Sequence, residues 1–137
     1  MRVLRYAWAA PTTMLGLAFL PLALLTGGGC QYIRGVLEVY GGGVAWLLQN
    51  ATLLKGGAAA MTLGHVILGV DRITLECVRA HERIHVRQSE HWGPMFIPAY
   101  LLAAAWAWAR GGDPYFDNRF EREAYRRARL PRVARRP

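Results

Sequence analysis

The chain opens on a short basic stretch, Met1 to Arg5, and then runs from Tyr6 to Thr26 without a charged residue. An uncharged run of this length forms a helix able to cross about 30 Å of hydrocarbon, and its basic flank predicts a cytoplasmic start. Pro11, Gly16 and Pro21 can bend that helix or split it into a re-entrant pair. A cleavable signal peptide shares the basic start and the apolar core. No A-x-A-like site follows here, and Gly27-Gly28-Gly29-Cys30 lacks the large aliphatic residue of a lipoprotein box. An uncleaved anchor is therefore the better reading, ahead of a signal peptide or a buried soluble helix.

Past the glycines, Gln31 to Tyr40 is rich in β-branched, aromatic and aliphatic residues and predicts a strand. Val44 to Leu54 fits a strand or a short helix. Ala60 to Val70 predicts another strand, with Gly64 and Gly69 suiting it to a sheet edge or a bulge. The pattern changes at Asp71, a helix N-cap residue: no Gly or Pro interrupts Arg72 to Trp92, and Gly93-Pro94 ends the helix. Pro94 to Ala109 predicts an apolar helix of about 15 residues, roughly 22 Å long. Gly111-Gly112-Asp113-Pro114 then turns the chain into a last helix, from Asp117 to near Arg129. The expected fold class is α+β: an N-terminal membrane helix, a small β-sheet with an edge strand, and a helical C-terminal unit. Residues 1–29 form the anchor, 30–130 the domain and 131–137 a basic tail.

Composition narrows the partners. Of 137 residues 53% are hydrophobic, and 17 basic against 9 acidic residues give a net charge of +8. So apolar a basic chain suits anionic membrane lipid better than nucleic acid, and the arginine-rich C-terminus has only Tyr125 as a nearby stacking aromatic. Cys30 and Cys77 are too few for a disulfide scaffold. The glycine clusters lack the lysine of a phosphate loop.

The chemistry concentrates at His81-Glu82-Arg83-Ile84-His85, which reads H-E-x-x-H, the signature of zinc metallopeptidases. On a helix His81 and His85 lie one turn apart on one face, able to offer two imidazole nitrogens to one metal ion. Glu82 projects about 100° round, beside the site, placed to take a proton from water. The plain alternative is a solvated charged helix, so a third ligand has to decide. His91 has metzincin-like spacing, but Gln88 stands where that pattern turns on Gly. A continuing helix carries His91 about 15 Å along the axis and about 280° round from His81. Glu121, on the last helix, is the stronger candidate, although Asn118 with Glu three residues later also fits a capping box. Cys77 reads as a small core residue. His65, within the predicted strand, reads as a satisfied histidine or as a group that steadies an oxyanion.

RAHERIHVRQSEHWGP, then an apolar helix, then DPYFDNRFEREAY resembles a family of small bacterial membrane-anchored proteins, most strongly from about Met61 to Tyr125. More distantly it is similar to gluzincins, especially the membrane-bound CAAX prenyl endopeptidase and heat-shock peptidase group. Those enzymes carry H-E-x-x-H on one helix and E-x-x-A-D on the next. The resemblance implies a minimal zincin-like unit in which Zn²⁺ is held by His81, His85 and Glu121. Tyr125 stands where the group has the Asp that orients a zinc-bound histidine, so the phenol lacks that charge. The expected activity is hydrolysis of a peptide or protein substrate by metal-activated water, with Glu82 as general base and His65 or Tyr125 steadying the oxyanion. The expected location is a bacterial inner membrane. Two alternatives stand beside this. One is a two-span membrane protein whose second span, Trp92 to Ala109, would separate Glu121 from His81. The other is a protein that binds metal without catalysis.

Overall fold

The computed structural model describes residues 1–52, 54 and 56–130, and the basic tail at 131–137 lies outside the described residues. The chain is a mixed α+β domain. In order it contains α1 (Arg2–Leu17), α2 (Leu20–Leu25), β1 (Gly29–Ile33), β2 (Val36–Tyr40), α3 (Gly42–Asn50), β3 (Ala60–Leu63) and β4 (Val66–Gly69). Then come α4 (Arg72–Trp92), a 3-10 turn at Gly93–Met95, α5 (Phe96–Ala109) and α6 (Arg119–Ala128). The strands form one sheet in the order β1-β2-β4-β3, with β2 and β4 parallel at the centre and both outer pairs antiparallel.

Each of the two expected strands is in fact a hairpin. Gln31 to Tyr40 folds back at Arg34-Gly35, both at positive φ (46° and 84°), the twist that two-residue hairpins favour, and Ile33 pairs with Val36. Ala60 to Val70 turns at Gly64-His65, so that Leu63 pairs with Val66 and His65 sits in a turn rather than in a strand. Gly64 has φ of 63°, and a Cβ there would lie 2.6 Å from the backbone nitrogen of Thr13. Apolar alternation continues on both sides of such tight turns, so periodicity alone reads them as one strand. β3 is a sheet edge, but Gly64 lies in the turn and Gly69 in the central strand β4, so only the first half of the expected edge strand is at the edge. The ambiguous stretch from Val44 is helical, as α3.

Both faces of the sheet are covered. Along β2, Val36, Glu38 and Tyr40 turn toward α4, joining Ile67, Leu75 and Val86. The alternate residues Leu37 and Val39 turn toward the N-terminal helices, joining Ala23, Val44, Leu48, Val66 and Leu68. Coverage on both faces explains why the two central strands read as nearly unbroken apolar runs. Among the described residues, Arg2–Leu25 is the one segment long and apolar enough to cross a membrane. It is broken at Ala18-Phe19 into two helices, and Ala9, Thr12, Gly16 and Ala23 are buried in the fold. These N-terminal helices pack through their small residues against the sheet and α4.

Glu38 is the one carboxylate in the sheet interior and is fully buried. Arg79 of α4 grips it with two guanidinium bonds of 2.6 and 2.9 Å, and Gln31 of β1 donates a third of 2.7 Å. Burial alone pushes the Glu38 carboxyl up, but the Arg79 and Gln31 bonds outweigh it and leave it below its ordinary value. A depressed carboxyl stabilises the fold above its unfolded pKa and loses that contribution as pH falls through the folded value. Glu38→Gln should cost about 3 kcal/mol at pH 7 by leaving Arg79 without its partner. The gap to wild type, read from thermal midpoints in detergent, should narrow as pH falls below about 4.5.

Candidate metal centre

α4 begins with the Asp71 carboxylate accepting the Thr74 backbone N–H at 2.7 Å and runs 21 residues without a break. Its four-residue spacing brings His81 and His85 to the face against α6, both buried. Their Nε2 atoms lie 3.1 Å apart. Glu121, on the first turn of α6, closes the third side. One carboxylate oxygen lies 3.0 Å from His81 Nε2 and the other 3.2 Å from His85 Nε2. One ligand atom from each of the three residues falls within 4.8 Å of the others, and all three residues are buried.

This donor set fits a metal ion. Two imidazole nitrogens facing each other across 3.1 Å have at most one proton to share, and a carboxylate completes a cluster of electron-rich atoms. Tetrahedral ligands at about 2.0–2.2 Å from zinc are separated by roughly 3.3 Å, close to the spacings here. Neighbouring side chains hold two of these three residues in place. Gln88 Oε1 lies 2.7 Å from His85 Nδ1, an arrangement that leaves Nε2 free to bind when Nδ1 carries the proton. The same Gln88 side chain donates to the Phe120 carbonyl at 3.1 Å and to Glu123 at 2.9 Å, tying α4 to α6. The Tyr100 hydroxyl donates to Glu121 at 2.6 Å. His81 Nδ1, by contrast, is buried without a hydrogen-bond partner among the described residues.

Glu121 is not a cap. The Asn118 side chain accepts from Phe120 N at 3.0 Å and donates to the Tyr100 carbonyl, so the helix start is satisfied without the glutamate. Nor does His91 approach the cluster: α4 continues through it and leaves it exposed on the last turn. Tyr125 does come to the site, its ring 4.4 Å from that of His81, but its hydroxyl pairs at 3.4 Å with Tyr115 and not with a histidine. His65 goes elsewhere. It stacks on Tyr6 at 3.9 Å and meets Glu90 at 3.1 Å, because the β3–β4 turn faces α1. Cys77 is exposed and not in the core.

Glu82 lies beside the cluster, buried, its carboxylate accepting the Thr62 hydroxyl of β3 at 2.7 Å. Glu82, His85 and Glu121 together line a cavity of about 220 Å³ between edge strand β3 and α5. Its other walls are mainly apolar, with Met61 and Leu63 from β3 and Phe96, Ile97 and Leu101 from α5. The sequence reading overlooked Thr62, Gln88, Tyr100 and Tyr115. Gln88 had a signal, since three residues beyond His85 is the same helix face. Tyr100 had a weaker one, as the lone hydroxyl in an otherwise apolar helix.

Charge at the cluster is shared unequally. Burial alone would push the Glu121 carboxyl up, but the His81, His85 and Tyr100 bonds outweigh it and hold it at about 2. Burial alone would lower His85, yet the Glu121 carboxylate, with help from Glu82 and Gln88, raises it to about 9. Burial first, and the Glu121 charge second, raise the Tyr100 and Tyr115 phenols, so both remain protonated donors. No protein-family model, curated protein or solved structure matches this chain.

A divalent ion needs the neutral form of His85, so binding below about pH 9 must displace a proton. Zinc affinity measured by chelator competition should therefore rise by up to about tenfold per pH unit from pH 7 and level off above pH 9. A flat profile over that range would mean that His85 is already neutral in the metal-free protein.

Proposed function

We infer that this chain is a zinc-dependent, gluzincin-like peptidase whose site is held by His81, His85 and Glu121. The observation that carries the reading is the convergence of a Glu 36 residues beyond His85 on the two histidines of H-E-x-x-H, with Glu82 in the wall of the adjoining cavity. When bound, zinc supplies Lewis acidity, polarising a carbonyl and lowering the pKa of a coordinated water toward about 7. The protein's own groups account for the rest. Glu82, held by Thr62, accepts a proton from water on its carboxylate and passes it to the leaving amine. Tyr115, protonated and in the cavity wall, is better placed than His65 to donate to the carbonyl oxygen as negative charge develops there. Tyr100 and Gln88 keep the ligands oriented. The apolar cavity walls exclude bulk water and suit a hydrophobic side chain of the substrate.

The close approach of Glu121 to His81 also weighs against the two-span reading, because a membrane-crossing α5 would hold them on opposite faces of a bilayer.

Tag-free protein purified in detergent should carry about one zinc per chain, and Glu121→Ala should lose most of it. Glu82→Gln should keep the zinc but lose about a hundredfold or more of its hydrolysis of a quenched-peptide library. Wild-type protein that binds zinc yet cleaves no better than Glu82→Gln would make this a metal-holding protein without peptidase activity.

A further inference from the structure

The segment Arg2–Leu25 passes the length and composition test for a membrane span, yet its packing is that of a helix lying along a domain. Contacts along one face pin α1 to the rest of the chain. Arg5 reaches Glu90 at 3.8 Å, and the Tyr6 hydroxyl donates to the Gly35 carbonyl at 3.0 Å. The Trp8 indole covers Gly93. Thr13 Oγ1 accepts the His65 backbone N–H at 3.1 Å, and a Cβ at Gly16 would lie 2.6 Å from that of Val66. These contacts extend from residue 5 to residue 16, about 16 Å of helix axis. A crossing helix needs roughly 20 residues of its own in hydrocarbon. If α1 crossed, it would draw the last turns of α4 into the bilayer with it, and there Arg87 and His91 are exposed. Charged groups are costly at that depth.

The opposite face of α1 has no such partners among the described residues. Val3, Leu4, Met14, Leu15 and Leu17 are exposed, as are Leu24 and Leu25 of α2. Past the 3-10 turn on which α1 packs, α5 shows a second uncharged outer face, with Leu101, Leu102, Trp106 and Trp108 exposed. Basic residues flank both: Arg2 and Arg5 on α1, and Arg110 at the end of α5, over the Trp106 ring at 5.6 Å. Apolar faces with interfacial tryptophans and flanking arginines on a chain of net charge +8 are complementary to an anionic lipid surface.

We propose that α1 lies in the plane of one leaflet of an anionic bilayer, docked along the domain, and does not cross it. The protein is then monotopic, with residues 2, 30 and 77 on the same side. The α5 wall of the cavity, through half-exposed Leu101, belongs to the second lipid-facing surface. This inference does not depend on peptidase activity.

The natural cysteines are exposed reporters just after α2 and on α4. The full chain would be added to preformed sealed vesicles of phosphatidylglycerol and phosphatidylethanolamine and treated with a membrane-impermeant maleimide. Three single-cysteine chains would be compared: Cys30 alone, Cys77 alone, and Arg2→Cys in a Cys30→Ser, Cys77→Ser background. All three should react to the same extent before detergent is added. Protection of residue 2 with Cys30 labelled, or the reverse, would show a crossing helix and overturn the proposal. Met14→Glu with Leu15→Glu, both on the outer face, should reduce vesicle flotation at least tenfold with far-UV helicity unchanged. Flotation equal to wild type would overturn the proposal, as would a stable dimer that ignores vesicles.

Discussion

A carboxylate buried between two imidazoles organises the C-terminal half of this protein. Glu121 is almost fully removed from water, and an isolated charge in that position would be very costly. Its cost is offset only because α4 presents two histidines one turn apart and α5 supplies a phenol on the other side. That requirement explains the path of the chain. α4 must run unbroken past His85, the chain must return through α5, and Asn118 must start α6 so that its first turn faces the histidines. Gln88 joins the two helices at that level with two hydrogen bonds and meets His85 with a third, so the geometry at the histidines and the helix packing are set by the same side chain.

α4 serves two partners on different faces. One face meets the sheet through Leu75 and Val86 and, beside them, the Arg79 grip on Glu38. Another meets α6 through His81, His85 and Gln88. Glu82 lies against β3, where Thr62 holds it. A buried ion pair is a poor source of net stability, since desolvation consumes much of the attraction. Its effect here is positional: the Glu38–Arg79 pair fixes the rotation of α4 about its own axis relative to the sheet, and so fixes where the histidines point. Edge strand β3 then forms one wall of the cavity and α5 the other.

The N-terminal helices are part of this construction. α1 buries small residues against β3, β4 and the end of α4, and Thr13 meets the backbone of the turn that carries His65. Small side chains at the contact allow a close approach, while large apolar residues remain on the outside, an inversion of the usual soluble pattern. Such a helix presents a packed face to the domain and a separate apolar face to its surroundings.

Much of this was legible in the residues themselves. The Asp71 cap, the unbroken run to Trp92 and the Gly93-Pro94 stop define α4 because capping and helix breaking are local chemistry. The four-residue spacing of His81 and His85 defines a shared face for the same reason. Glu121 was reachable as a candidate, but two roles matched it equally from local pattern. Only the arrival of α6 beside α4 separates a ligand from a cap, and that contact spans residues far apart in sequence. The two hairpins were missed because alternation persists through a two-residue turn, and His65 was misplaced with them. Cys77 looked like core because its residue type favours burial, whereas burial depends on which neighbours reach that turn. The N-terminal run announced its apolar character in composition. Which of its faces packs on the domain is set by contacts made from Gly35 to Gly93. Local sequence determined the helices, the turns that end them and the chemical groups available. Tertiary packing alone decided which groups share a site, because the free energy of bringing them together is distributed over contacts that no short window of sequence contains.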